Sequence, residues 1–458
     1  MELKNKRVLV VGLGKSGKSA ALFLRDRGAR VTVSDARSMA ALQDEIPALL
    51  DAGIMVEAGG HGLLTFRRQD LIVVSPGVPY DTPELKQVRG YGPVGPQIIG
   101  ELELASRFLQ GQIAAITGSN GKTTTTALLG KIFADSGRPT LVGGNIGIPV
   151  IELIEKSSAA TMNVLEVSSF QLETVETFHP HIAVVLNITP DHLDRHGTFA
   201  NYAAMKTRIT GQQAPSDFLV LNAEDPPTQM VAAHTKAQVF WFSGRRPIKQ
   251  GAFVHGESVL FQPREGATPE PVMPVAEIPL KGAHNVENVL AAVCASRLGG
   301  VAAETIRASV ASFKAVEHRL EFVATVHGVE FYNDSKATNV DATRKALEAF
   351  VGGVHLILGG KDKNSDYGEL ADLIRERVKI VYTIGSAAEK IERQLAGVVK
   401  MVSAGTLENA VKQAAHDSTA GDVVLLAPAC SSFDQFENYE HRGRTFKELV
   451  KQLSASSS

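Results

Sequence analysis

Short apolar runs, none long enough to be a buried helix, recur along almost the whole chain, and most are followed by a turn and a helical stretch. They are Arg7–Val11, Arg30–Ser34, Leu71–Val74, Ile113–Thr117, Val164–Val167, Ile182–Leu186, Phe218–Leu221, His355–Leu358, Ile380–Ile384 and Val423–Leu426. Runs of this kind, apolar at successive positions instead of alternating, read as parallel strands covered on both faces. The fold class is therefore α/β. Between Gln238 and Pro279 the rhythm changes. "AFVHGESVLF" alternates and turns at Gly256, which predicts an antiparallel hairpin inserted into the α/β order.

A length of 458 residues suggests about three domains of ~150 residues each. The Gly- and Pro-dense "RGYGPVGPQIIG" (Arg89–Gly100) and a softer break near Ala311–Val316 divide the chain into 1–98, 99–314 and 315–458. The expected architecture is a Rossmann-like N-terminal domain, a central P-loop ATPase-type α/β domain carrying the small antiparallel insertion, and a Rossmann-like C-terminal domain. A formal net charge of −2 gives no basic field for nucleic acid. The two cysteines, Cys294 and Cys430, lack metal or disulfide spacing. With no membrane-length apolar run and no signal-peptide pattern, a cytoplasmic protein is expected, with an unstructured "SASSS" tail.

Two glycine loops carry the chemistry. "VVGLGKSGKS" (Val10–Ser19) satisfies both the dinucleotide fingerprint, through Gly12, Gly14 and Gly17, and the strict P-loop, through Gly12, Gly17, Lys18 and Ser19. "ITGSNGKTT" (Ile116–Thr124) fails the strict P-loop, because its first glycine would fall on Ile116. It nonetheless joins a strand to a helix expected over Thr124–Asp135, where backbone N–H groups and the helix N-terminus favour phosphate. Lys122 then reaches the β/γ-phosphates and the Thr123 hydroxyl suits Mg²⁺. Glu166, an acid inside a buried strand, needs a partner, and Mg²⁺ is a suitable one. "LNITPDHLDRHG" places Asn187, Thr189, Asp191, His192 and Asp194 at a strand's carboxyl end, the ligand-bearing edge of open α/β sheets.

These motifs occur in a specific order. TGSNGKTT (Thr117–Thr124), EVSSFQL (Glu166–Leu172), NITPDHLD (Asn187–Asp194), HNVEN (His284–Asn288), EHRLE (Glu317–Glu321), NDSKATN (Asn333–Asn339) and GGKDK (Gly359–Lys363) resemble the Mur ligases through all three domains. These are the ATP-dependent amino-acid-adding enzymes of peptidoglycan synthesis. The short first domain, "LVGGNIG" and "PACSSFDQFENYEHRG" are most similar to members that add D-glutamate, and the D-N-P-R of diamino-acid-adding members is absent.

The resemblance implies a reaction and a set of roles. ATP phosphorylates the carboxylate of UDP-N-acetylmuramoyl-L-alanine, and the amine of D-glutamate displaces phosphate. Gly118, Asn120, Gly121, Lys122, Thr123, Thr124, Asn285, Asn288, Arg319, Asp334 and Lys336 bind ATP. Lys122, Glu166, His192, Lys206 and Arg319 are catalytic. Two Mg²⁺ ions, with Mn²⁺ as the alternative, are held by Thr123, Glu166, His192 and Lys206 as a carbamate, although Lys206 by itself reads as a surface lysine. The UDP-substrate engages Gly14, Lys15, Ser16, Asp35, Arg37, Gly77, Asn145, Ser168 and His192. D-Glutamate engages Thr338, Lys363, Ser432, Phe433 and Tyr439, with Lys361 as rival to Lys363. The resemblance thus gives the opening loop to a UDP diphosphate, not to NAD or ATP, and a monomer acting on small molecules is expected. A nicotinamide oxidoreductase leaves Gly118–Thr124 unexplained. A GTPase lacks N-K-x-D. A folylpolyglutamate synthase has no need of the first domain.

Overall fold

The computed structural model describes residues 1–314 and 316–455. It contains three sheets. The first comprises β1 (Arg7–Val11), β2 (Arg30–Asp35), β3 (Met55–Ala58), β4 (Leu71–Val74) and β5 (Gln97–Gly100). All are parallel, in the order β3-β2-β1-β4-β5. Val8, Leu9, Val10, Leu71, Ile72 and Val73 are buried, as strands covered on both faces require.

The second sheet holds β6 (Gln112–Thr117), β7 (Thr140–Gly144), β8 (Met162–Glu166), β9 (Ile182–Val185), β10 (Phe218–Asn222), β11 (Gln238–Ser243), β12 (Gly251–His255), β13 (Ser258–Gln262) and β14 (Glu270–Pro274). Its order is β14-β13-β12-β11-β10-β9-β6-β8-β7. Pairing is parallel from β7 to β12 and antiparallel from β12 to β14, so the inserted hairpin extends the sheet. Its turn falls at Gly256, with φ 59°. The third sheet has β15 (Glu321–Val326), β16 (Val329–Asn333), β17 (Val354–Gly359), β18 (Val378–Ile384), β19 (Lys400–Gly405) and β20 (Val423–Leu426), ordered β15-β16-β20-β17-β18-β19. Only the β15–β16 pair is antiparallel.

Two compact units emerge. One is Met1–Ile188, Arg195–Pro274 and Leu290–Ser309, which holds the first two sheets. The other is Thr189–Asp194, Val275–Val289 and the chain from Val310 onward, which holds the third. Among the described residues, no helix is long and apolar enough to cross a membrane.

The departures from expectation have physical reasons. Gln97–Gly100 lies at the end of a stretch read as linker. Its preceding glycines form a short 3₁₀ turn (Gly92–Val94), and the four residues then pair with β4, so a division after residue 98 falls within β5. Met55–Ala58 and Lys400–Gly405 lie at sheet edges and are largely half-exposed, which removes the continuous apolar signal. The helix after the second glycine loop begins at Lys122, two residues early. Ser454 and Ala455 of the expected tail complete the last helix (Tyr439–Ala455), and Ser456–Ser458 lie outside the described residues. Ala315, at the second division, does too.

The first turn separates the roles of its glycines. Gly12 takes φ 91°, which an L side chain rarely adopts. A Cβ on Gly17 would lie 2.0 Å from the Gly12 carbonyl oxygen and 2.7 Å from Ser75 Oγ. Gly14 has φ −75° and open space at its Cβ position. Gly17→Ala should therefore cost about 1–3 kcal/mol and lower Tm by several degrees. Gly14→Ala should leave Tm unchanged, a contrast that differential scanning fluorimetry checks.

Candidate functional site

The turn leaving β1 is braced from within. Ser75 Oγ donates to the Gly12 carbonyl at 2.8 Å. Asp35, at the end of β2, accepts from the Leu13 N–H at 2.6 Å, from the Arg37 N–H at 2.8 Å and from the Arg37 guanidinium at 3.0 Å. Burial alone would raise its pKa, but these donors outweigh it and hold the carboxyl below its usual range. Arg37 also donates to the Leu13 carbonyl at 3.0 Å. Asp35 and Arg37 are thus a clamp on the glycine turn.

A cleft of about 220 Å³ opens where the carboxyl ends of β1, β4 and β5 meet the segment after β7. Lys15, Ser16, Gly77 and Asn145 line it together. Lys15 Nζ donates to the Gly147 carbonyl at 2.5 Å. Ser168 is not part of this lining. It caps the short turn Ser169–Leu172, exchanging hydrogen bonds with Gln171.

Asn145 links the cleft to the second glycine loop, its Nδ2 donating to Glu166 Oε1 at 2.9 Å. Glu166 ends β8 and is 1% exposed. Beyond β6 the loop turns through Gly118 (φ 153°) and Gly121 (φ 85°). Asn187 fixes it. Its carbonyl accepts from the Ser119 N–H (2.9 Å), its Oδ1 from the Asn120 N–H (2.8 Å), and its Nδ2 donates to the Asn120 carbonyl (3.1 Å). Lys122, at the helix start, donates to the carbonyls of Gly118 (2.8 Å) and Ser119 (2.9 Å). Thr123 and Thr124 follow in the first turn, both buried.

Lys206 lies inside the molecule. It is 1% exposed, donates to the Gly118 carbonyl at 2.8 Å and sits 4.6 Å above the Tyr202 ring. Tyr202 OH in turn pairs with Ser119 Oγ at 3.0 Å. Helix periodicity alone did not reveal this burial, nor the role of Asn187.

His192 belongs to the other compact unit. It has φ 52°, and its N–H donates to Asp191 Oδ1 at 2.9 Å. Asp191 also accepts from Asn339 Nδ2 (3.1 Å) and lies 3.8 Å from Lys363 Nζ. Lys361 instead points to solvent, while its backbone pairs with Ser431. Asn285 and Asn288 are buried and joined by a 3.1 Å hydrogen bond. Beside them, burial pushes His284 down to about 4.

The remaining residues gather at the carboxyl ends of β16, β17 and β20, where open α/β sheets bind ligands. Asp334 accepts from the Leu320 N–H at 3.2 Å, and burial pushes its carboxyl up to about 6 although Arg319 opposes the shift. Lys336 Nζ lies 5.0 Å above the Tyr439 ring. The Thr338 N–H donates to the Lys336 carbonyl. Ser432 is 2% exposed and Phe433 67% exposed. The sequence reading missed Arg442. Its fully buried guanidinium donates to Ser335 Oγ (3.0 Å), the Ser335 carbonyl (2.8 Å) and the Cys430 carbonyl (3.1 Å), tying two of these loops together.

Comparison with known proteins matches this arrangement segment by segment. Residues 6–96 match a Mur ligase MurD-like N-terminal domain, residues 116–296 a Mur ligase middle domain, and residues 318–430 a Mur ligase glutamate ligase domain. A relative from Acidobacterium capsulatum named UDP-N-acetylmuramoylalanine--D-glutamate ligase is 66% identical, over 98% of this chain and 97% of its own. One from Koribacter versatilis with the same name is 60% identical, over 99% of both chains. Among solved structures, the MurF ligase of Thermotoga maritima in complex with ADP shares the fold at 18% identity, with a TM-score of 0.61, over 100% of this chain and 97% of its own. Domain by domain and along its full length, the chain belongs to the Mur ligase family.

Proposed function

We propose that the chain joins D-glutamate to UDP-N-acetylmuramoyl-L-alanine at the expense of ATP, releasing ADP and phosphate, in cytoplasmic peptidoglycan-precursor synthesis. The observation that carries this reading is the loop Gly118–Thr124, which opens a buried helix with Lys122 at its first position and Glu166 on the neighbouring strand β8. The names of the relatives supply the substrates. In this reading the protein acts as a monomer on small molecules, with the UDP end at residues 1–98, the nucleotide at 99–314 and the amino acid at 315–458.

A carboxylate resists nucleophiles because of its charge. Transfer of the γ-phosphoryl group turns one of its oxygens into a leaving group. The D-glutamate amine then attacks the acyl phosphate, and the tetrahedral intermediate collapses to an amide and phosphate. Two anions must meet, so the site needs concentrated positive charge. Lys122 and the loop N–H groups hold the β/γ-phosphates, while Arg319 and Lys336 add charge from the C-terminal part. Asn285 and Asn288 take the adenine and Asp334 the ribose. Lys15, Ser16, Gly77 and Asn145 hold the UDP-substrate in the cleft. Thr338, Lys363, Ser432, Phe433 and Tyr439 receive D-glutamate. Thr123 and Glu166 offer hydroxyl and carboxylate oxygens, which fit a hard cation. With His192 and a carbamylated Lys206 they would hold two Mg²⁺ ions, which neutralise phosphate charge when bound. As an ammonium, Lys206 has no lone pair for a cation, so it fits only as the carbamate.

Phosphate release tests the whole reading. It should require ATP, UDP-N-acetylmuramoyl-L-alanine and D-glutamate together, and should fail with L-glutamate, L-alanine or a diamino acid. Lys122→Ala should cut turnover by roughly 10³-fold while calorimetry still detects UDP-substrate binding. Lys18→Ala should leave the ATP KM and kcat near wild type, despite the strict P-loop around it. Lys206→Ala should be nearly inactive and partly restored by acetate, whereas Lys206→Arg should not respond. Lys363→Ala should lower kcat/KM for D-glutamate by roughly 10²-fold with little change in the ATP KM, as a lost charged hydrogen bond implies.

A further inference from the structure

Glu101 is a buried acid that none of the roles above uses. It follows β5 directly, is 2% exposed, and lines the same cleft as Lys15, Ser16 and Asn145. Its Oε1 accepts the Ile151 N–H at 2.9 Å. Among the described residues, Oε2 has no hydrogen-bond partner. A carboxyl serving only to cap Ile151 would need one oxygen, which leaves the other for a second partner.

A second polar group faces the same space. Gln171 also lines the cleft and is 5% exposed. Its Oε1 is occupied by the Ser168 N–H (3.0 Å) and Ser168 Oγ (3.1 Å), which fixes the orientation of the amide. Its NH₂ end donates to no described residue. The cleft is therefore lined by one acceptor and one donor without a described partner, each on a largely buried side chain. That pair complements a secondary amide, whose N–H donates and whose C=O accepts. A buried polar group left without a partner is costly, so such a pair rejects ligands that cannot satisfy it.

We infer that Glu101 is a specificity-determining residue of the substrate cleft, its Oε2 accepting the N–H of the 2-acetamido group of the UDP-N-acetylmuramoyl substrate while Gln171 donates to the acetamido carbonyl. This deepens the proposed function and rests on it. The placement suits the chemistry, because the cleft runs between the Lys15–Ser16 turn, suited to the diphosphate, and Asn145 beside Glu166. Burial pushes Glu101 up to about 7, the Glu152 charge adding to the shift and the Ile151 N–H opposing it. Near neutrality the carboxyl thus carries only part of a negative charge, which lets the cleft accept an anionic diphosphate.

Glu101→Gln keeps an oxygen for Ile151 but can turn an NH₂ toward the acetamido N–H. Steady-state kinetics should be run on the full-length wild type and this variant, with UDP-N-acetylmuramoyl-L-alanine and with its analogue carrying 2-O-acetyl in place of 2-acetamido. Wild type should prefer the acetamido substrate by roughly 10-fold or more in kcat/KM. Glu101→Gln should raise the KM of the acetamido substrate by roughly 10- to 100-fold and erase or reverse that preference. KM values for ATP and D-glutamate, and Tm, should stay near wild type. Equal use of both substrates by wild type would overturn the inference without any variant. So would a Glu101→Gln that keeps the wild-type preference, or one that lowers Tm and worsens all three KM values alike, which is the behaviour of a cap alone. Absence of turnover by wild type with the acetamido substrate and D-glutamate would instead overturn the proposed function.

Discussion

One carbonyl oxygen, that of Gly118, receives two lysine ammoniums, Lys122 and Lys206, each at 2.8 Å. Two protonated amines this close would repel, the more so where burial excludes water, and conversion of Lys206 to the carbamate would remove that repulsion. The loop's own shape is fixed elsewhere, by the two hydrogen bonds that Asn187 accepts from it and the one that Asn187 donates, and by the φ values of Gly118 and Gly121. Lys122 places positive potential at the start of the helix Lys122–Asp135, where the backbone dipoles add to it. Much of the surrounding sheet serves this point. β6 delivers the loop, β8 delivers Glu166, and the segment after β9 delivers Asn187.

The first glycine loop is built differently, although it satisfies the strict P-loop pattern that the second fails. Asp35 and Arg37 close it from one side and Ser75 from another. Its lysine nearest the cleft, Lys15, reaches the Gly147 carbonyl in the neighbouring part of the same unit. Pattern matching cannot separate the two loops, because the pattern records spacing and not what the flanking strands place around it. The difference lies in the neighbours. One loop borders a cleft shared between two sheets, and the other a buried acid and a buried lysine.

This explains which features were legible in the sequence. The strands β1, β4 and β20 were readable to the residue because continuous apolar runs mark buried parallel strands. The inserted hairpin was readable from alternation and Gly256. Edge strands such as Met55–Ala58 were not, since half-exposed residues leave no such run. At the site, the phosphate loop and Glu166 could be named because a lysine at a helix start and an acid in an apolar strand are locally anomalous. Glu101 and Arg442 could not, because what distinguishes them is burial against segments distant in sequence, Ile151 and Ser335 with Cys430; Asn187 was named at its strand end, but its bracing of the Ser119–Asn120 turn was not. Lys206 falls between. Its position was flagged by resemblance, while its burial against Tyr202 is a property of the fold.

The hydrogen bond from Asn145 to Glu166 links the cleft to the acid beside the second glycine loop. Glu166 Oε1 accepts from the Asn145 amide, and a ligand in the cleft that reoriented this amide would change the free energy of that carboxylate. Linkage is reciprocal: whatever engages Glu166 from the phosphate loop must alter affinity in the cleft by the same factor. A single amide would thereby make occupancy of the cleft and engagement of Glu166 interdependent equilibria, coupled through residues of one compact unit.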